Sequence, residues 1–267
     1  IRTKNEVFFN YSKWLNDEER ECKKTDHIIA VVDEMKTRLN ELHKVELSKI
    51  VVVSNTERKS FKEHFSATDK NPLPTGFNIT YIGGIGPHRG LDTAIAGMPE
   101  VLRLIPEAKL NLVGSGNKDV TSKLVEQIEQ LGLKERVILH GQKPFKLVNS
   151  YMSHSQVNII PHHSNDHTNN TIPHKLFQIL MSGAPRLVSS CKPLERSVKQ
   201  HEEGSIFQAG DPKSFAESIF EIHSHPKIAQ ERCANGTRAV VEHFHWDLDG
   251  QQLINLYREV LAKRTVL

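Results

Sequence analysis

Short β-branched runs alternate with longer stretches of helical periodicity along most of this chain, a pattern that restricts the fold to parallel strands joined by helical crossovers. Strands are predicted at HIIAVV (27–32), KIVVV (49–53), FNITYI (77–82), KLNLV (109–113), RVILH (136–140), QVNII (156–160), PRLVS (185–189) and SIFQ (205–208). The clearest helices fall near 33–43, 91–104, 119–131, 173–182, 212–223, 227–243 and 248–262. The class is therefore α/β, a parallel sheet with helices packed on it.

The stretch SATDKNPLPTG (66–76) interrupts this alternation with two prolines, a glycine and small polar residues, and reads as a linker. Two strands and three helices precede it, too few for a doubly wound domain, whereas six strands follow it. The expected division is a partial domain over 1–70, a main domain over 71–245 and a final helical segment over 246–267. Ile1 is not a start methionine, and IRTKNEVFF lacks the plan of a secretory signal, so the expectation is a fragment beginning partway into a longer protein.

Composition bears on partners. The chain has 267 residues, of which 37% are hydrophobic and 25% charged, enough to bury a core. A formal charge of +3, with basic and acidic residues interspersed, points away from nucleic acid and leaves room for an anionic small molecule or a lipid surface. No run of about 18 apolar residues offers a membrane span. Cys22, Cys191 and Cys233 are widely spaced with no C-x-x-C pair, which indicates neither a disulfide framework nor a cysteine zinc site. A cytoplasmic protein is expected.

Two segments carry chemistry. In YIGGIGPHRG (81–90) a strand runs into a glycine-rich turn, where backbone N–H groups can approach phosphate oxygens closely. The spacing is not that of a dinucleotide fingerprint: Arg89 stands where the third glycine belongs, and LNLVGSG (110–116) supplies no acid for a ribose. No G-K-[ST] follows, so it is not a P-loop. Two readings stand: a diphosphate cradle with Arg89 donating charge-assisted bonds, or a tight turn with a solvated arginine.

The second segment, NNTIPHKLFQILMSGAP (169–185), has the marks of a helix: Asn170 or Thr171 to cap it, Pro173 in its first turn, and Gly183 with Pro185 to end it. Lys175 opposes the dipole at this end, a conflict that an anionic ligand would resolve. Asn170 and Gln178 are eight residues apart, which places Asn170 at the mouth and Gln178 about a turn and a half inside, on a related face of the helix. A plain amphipathic crossover helix is the alternative.

Together with HGQKP (140–144), these motifs in this order resemble the donor-binding C-terminal domain of the retaining family 4 glycosyltransferases, which have the two-Rossmann GT-B fold. The resemblance extends to TDHIIAVVDEMKTRL and KIVVVSNTE, similar to the end of the family's acceptor domain, and to HWDLDGQQLINLYREVL, similar to its returning final helix. It implies a Rossmann-like sheet with helices on both faces beside a partial second α/β domain. It implies that Gly83, Gly84, Gly86 and Arg89 hold the donor diphosphate with Lys175 and the N–H groups near Thr171 and Ile172, and that Gln142 and Lys143 meet the nucleobase. Arg89 and Lys175 are then the catalytic cations.

Two departures stand out. The family's E-x7-E glutamates fall on Asn170 and Gln178, amides that can hydrogen-bond but carry no charge. Gly84 stands where the family has an arginine, removing one phosphate partner. The resemblance implies a nucleotide-sugar donor, a sugar or lipid-linked acceptor, a site peripheral to the inner face of a membrane, and no resident metal or cofactor.

Other clusters are weaker. His162, His163, His167, His174 and Asp166 lie in a loop-like stretch without the H-E-x-x-H helix of a zinc site, and polar ligand-facing or solvated histidines are the competing readings. Cys191 has no base arranged around it and reads as a buried thiol. Glu195 reads as a helix-terminal salt-bridge partner, and Phe244 and Trp246 as core.

Overall fold

The computed structural model describes residues 11–64 and 70–265, so the opening IRTKNEVFF and most of SATDK lie outside the described residues. The first piece runs α1 (Tyr11–Lys24), β1 (Ile28–Ala30), α2 (Asp33–His43) and β2 (Ile50–Val52), with β1 and β2 pairing in parallel. Glu18 of α1 ties this piece together, accepting from Arg38 at 2.9 Å and lying 2.7 Å from His43.

The second piece contains β3 (Phe77–Ile82), α3 (Leu91–Leu104), β4 (Ala108–Val113), α4 (Lys118–Gln130), β5 (Val137–Gly141), α5 (Phe145–Ser153) and β6 (Val157–Ile160). It continues through α6 (Lys175–Ser182), β7 (Arg186–Ser189), α7 (Lys192–His201), β8 (Ser205–Phe207), α8 (Pro212–Ser224), α9 (Pro226–Glu242) and α10 (Trp246–Thr265). Its six strands are all parallel, in the order β5-β4-β3-β6-β7-β8. This is the doubly wound order, in which the chain starts at the centre, fills one side of the sheet and then the other.

Both faces of such a sheet are covered, so the strands read as nearly continuous apolar runs. On one face Ile79, Tyr81, Leu110 and Val157 meet Ile95 and Met98 of α3 and Phe215 and Ile219 of α8. On the other, Ile82, Ile160 and Val188 meet Met152 of α5, Leu176 and Leu180 of α6 and Leu194 of α7. In the interior Arg186 of β7 donates to Glu203 with both side chains fully buried, and the Ser197 hydroxyl also donates to that carboxylate.

The last helix is anchored to the first piece. Trp246 N–H donates to the Glu57 carbonyl at 3.0 Å, and the Asp249 carboxylate accepts from Ser54 N–H at 3.1 Å and from the Thr56 hydroxyl. His245, Thr56 and Asp249 are buried at this junction; Phe244 is partly buried and packs against the core, whereas Trp246, expected in the core, is partly buried at the junction. Among the described residues no helix is long and apolar enough to cross a membrane.

Candidate functional site

The sheet order reverses between β3 and β6, and in open α/β sheets ligands bind in the crevice at the carboxyl ends of the strands on either side of such a point. The glycine loop leaves β3 there, and the histidine-rich segment 161–174 leaves β6. Two bonds join them: Arg89 Nη1 donates to His162 Nε2 at 3.0 Å, and His163 N–H donates to the His88 carbonyl at 3.1 Å. The loop also pairs with its neighbour after β4, through Gly83 N–H to Val113 O and Ile85 N–H to Ser115 O, both 2.9 Å. Gly114 makes that pairing possible: its φ is +145°, and a Cβ there would stand 1.9 Å from the Gly83 carbonyl oxygen.

Lys175 is the first residue of α6, and its ammonium points back under the loop. Nζ is buried and, among the described residues, has no hydrogen-bond partner. It lies 3.8 Å from the centroid of the Tyr81 ring, and a Cβ added to Gly83 would stand 2.6 Å from it. Burial, reinforced by the Arg89 charge, holds its pKa well below the ordinary lysine value. The ring face offsets part of the desolvation, but a buried cation is otherwise stabilised only by an anion.

His162 is 4% exposed, and burial followed by the charges of Lys175 and Arg89 pushes its pKa down to about 2. A guanidinium only donates, so His162 Nε2 is the acceptor and the neutral ring carries its proton on Nδ1. His88, pushed down to about 4 by burial and then Arg89, stands edge-on to His162 and His167. His167 is likewise lowered, by burial and then Arg89. Arg89, Lys175 and three imidazoles with depressed pKa values thus converge on the crevice, an arrangement that attracts an anion.

The other predicted residues are placed as follows. Gly83, Gly84 and Gly86 form the loop, whose carbonyl at Gly84 accepts from the Tyr81 hydroxyl at 2.6 Å. Gln142 and Lys143 follow β5, and Gln142 Oε1 accepts from Ser115 Oγ at 3.2 Å. Gln178 is 9% exposed and donates through Nε2 to Glu57 Oε2 at 3.0 Å. Asn170 lines a cleft of about 690 Å³ with Glu34, Arg38, Lys192 and Arg196, between α2 and α7.

The start of α6 differs from the sequence expectation. The helix begins at Lys175, not Pro173, and neither Asn170 nor Thr171 caps it. Both are spent on the preceding turn, Asn170 Nδ2 donating to the Asp166 carbonyl at 2.7 Å and Thr171 Oγ1 to the His167 carbonyl at 2.8 Å. Ile172 is 7% exposed with its side chain in the core. The histidines do not gather around a common point: His163 pairs with Asp92 at 2.8 Å and His174 with Glu57 at 3.4 Å. Among the described residues no group of three His, Cys, Asp or Glu is arranged to hold a metal. Glu195 pairs with Lys199 at 2.6 Å, and Cys191 is fully buried.

Three participants escape a reading of the sequence. Tyr81 looks like an ordinary strand aromatic, His162 like one histidine among several, and Glu57 lies 121 positions from the helix it contacts.

Comparison with known proteins agrees with this architecture. The sucrose-phosphate synthase of Thermosynechococcus elongatus superposes with a TM-score of 0.83 at 20% identity, over 98% of this chain and 65% of that one. Anabaena Alr3699/HepE, solved in complex with UDP-glucose, superposes with a TM-score of 0.82 at 15% identity, over 94% of this chain and 68% of that one. Both show the Rossmann-like fold of GT-B proteins. In sequence, the D-inositol 3-phosphate glycosyltransferase of Acidothermus cellulolyticus is 25% identical over 256 residues, 89% of this chain and 55% of that protein. The phosphatidyl-myo-inositol mannosyltransferase of Mycobacterium leprae is 21% identical over 186 residues, 69% of this chain and 47% of that protein. The chain spans about half the length of the curated relatives it matches. Residues 63–240, more than half of the chain, match the family described as "Glycosyl transferases group 1", and the chain belongs to that family.

Proposed function

We propose that this chain is the donor-binding part of a retaining family 4 glycosyltransferase that moves a hexose from a nucleoside diphosphate to an acceptor hydroxyl. The observation that carries the reading is the buried ammonium of Lys175, without a hydrogen-bond partner among the described residues, beneath the glycine loop at the sheet's switch point. A diphosphate supplies the missing anion. Arg89 and the loop N–H groups bind its oxygens, Gln142 and Lys143 flank the base, Gln178 faces the ribose and Asn170 the sugar.

Catalysis on this reading is electrostatic. As the glycosidic bond breaks, negative charge grows on the departing phosphate, and cations already fixed there stabilise it without reorganisation, as an oxyanion hole does. The proposal assigns no resident metal or cofactor, the donor being a substrate. The cleft beside Asn170 is the acceptor side, and the inositol-directed names of the sequence relatives favour a polyhydroxylated or lipid-linked acceptor at the cytoplasmic face of a membrane.

Calorimetric titration with UDP and GDP tests this reading. One of them binds, and Arg89→Ala and Lys175→Ala each weaken it about tenfold or more, as loss of a charge-assisted bond of about 1.5 kcal/mol or more requires. Failure of the folded chain to bind either nucleotide overturns it. A second reading, a donor-binding partner without transfer activity, is favoured by the amides at 170 and 178. It predicts nucleotide binding with no turnover of any sugar nucleotide by the protein.

A further inference from the structure

We infer that Glu57, on the segment after β2, is the carboxylate of the donor site and binds the ribose diol of the nucleoside diphosphate. The inference rests on the donor-site reading above and extends it to a residue of the first piece.

The tip of β4 carries no acid, and positions 170 and 178 are amides. Yet a carboxylate stands at the site. Glu57, its side chain 17% exposed, accepts from Gln178 Nε2 at 3.0 Å and lies 3.4 Å from His174 Nε2, both through Oε2. His174 and Gln178 are four positions apart on the entry to α6, hence on one face, and Lys175 begins that helix. Gln178 lies three residues beyond Lys175, an axial rise of about 4.5 Å. The residue that holds the carboxylate and the lysine proposed to meet the diphosphate thus lie on neighbouring turns of one helix, as the ribose adjoins the phosphates in a nucleotide.

Its position is not left to chance. The Glu57 carbonyl accepts Trp246 N–H at 3.0 Å, and Asp249 holds Ser54 and Thr56 just before it. The first turn of α10 therefore clamps residues 54–57 over α6. Glu57 Oε1 accepts Arg58 N–H at 2.9 Å, which leaves acceptor capacity on the carboxylate. A vicinal diol presents two O–H donors to such a group, the pairing by which an acidic residue reads ribose in other doubly wound folds. Gln178 then orients the acid, and the negative charge absent from α6 is supplied from outside it.

The test is titration of the protein with UDP and 2′-deoxy-UDP, and in parallel with GDP and 2′-deoxy-GDP. The wild type favours the ribose form by about tenfold. Glu57→Gln abolishes that preference, whereas Arg89→Ala weakens both sugars alike. The exchanged pair Glu57→Gln/Gln178→Glu moves the carboxylate across the same contact and restores at least part of the preference, a result that a purely structural latch does not give. A Glu57→Gln protein that melts earlier but keeps the wild-type ribose preference makes Glu57 such a latch and overturns the inference, leaving the donor-site reading intact. A wild type that binds no nucleoside diphosphate overturns both.

Discussion

Replacing Lys175 with methionine separates a binding lysine from a structural one, because the two roles predict opposite signs for stability and affinity. The amine is buried, without a hydrogen-bond partner among the described residues, and lies 3.8 Å from the centroid of the Tyr81 ring. Burial, and after it the Arg89 charge, holds its pKa well below the ordinary lysine value, so the fold bears a desolvation cost at this position. The Tyr81 ring face offsets part of that cost. Methionine keeps the stem's packing and removes the unsatisfied amine, so the ligand-free protein gains about 1–3 kcal/mol, the ordinary cost of a buried polar group left without a partner. For a chain of this size that is a rise in Tm of up to about 10 °C. Diphosphate affinity falls in the same variant by roughly 10- to 150-fold, the equivalent of a charge-assisted bond of about 1.5–3 kcal/mol. Thermal denaturation with and without UDP or GDP, alongside calorimetry, reads both quantities. A variant that loses stability, or that binds as tightly as the wild type, refutes the reasoning.

The same lysine predicts a proton uptake. Its folded pKa is depressed, so between that value and about 10.4 the unfolded chain binds more protons and ligand-free stability rises with pH. A bound anion favours the ammonium, and binding heats measured above the folded pKa vary with the buffer's ionisation enthalpy, a dependence that Lys175→Met removes. His162, depressed to about 2, adds a contribution with the same slope at lower pH: full above about 6.5, it declines by about 1.4 kcal/mol per unit as pH falls toward the folded value, and His162→Phe flattens that part of the denaturation profile. Gly84 has room for a side chain, its nearest neighbour for an added Cβ being Ser115 O at 3.9 Å, so Gly84→Arg raises nucleoside diphosphate affinity about two- to fivefold in calorimetry, an exposed ionic contact of about 0.5–1 kcal/mol. Away from the site, Gly236→Ala puts a Cβ 1.8 Å from Arg186 Nη2 and strains the buried Arg186–Glu203 pair, lowering stability by about 3–5 kcal/mol in urea denaturation.

How much of this was legible in the sequence follows from how local each determinant is. The six strands of the main sheet could be placed because parallel strands buried on both faces are continuous apolar runs, and the glycine loop because glycines mark close backbone approach. Lys175 could be singled out because a cation in a first helical turn contradicts the dipole. The start of α6 was misplaced because Asn170 and Thr171 suit a cap and a turn equally well, and only the fold shows that Asp166 and His167 take their hydrogen bonds. Glu57 gave no signal at all. In NTERK it is one charge among several, and its role depends on a helix nearly two hundred residues away that holds it by the backbone.

That dependence shapes the site as a whole. The cations lie on the loop after β3 and at the head of α6, both fixed by the sheet, whereas the carboxylate comes from the first piece to Gln178 of α6, its segment held by α10. On the proposed reading, a donor site assembled this way is complete only while the two pieces are docked, because separating Glu57 from Gln178 removes its acid without disturbing its cations. Its affinity for ribose should therefore follow the Trp246–Glu57 and Asp249–Thr56 contacts, while its affinity for phosphate does not. Asp249→Asn distinguishes the two. It loosens the clamp on Ser54 and Thr56 and lowers the preference for UDP over 2′-deoxy-UDP, with inorganic pyrophosphate binding unchanged. Equal loss for all three ligands would mean that α10 supports the fold of the crevice itself, and that the division between its basic and acidic halves is not a division between the two pieces.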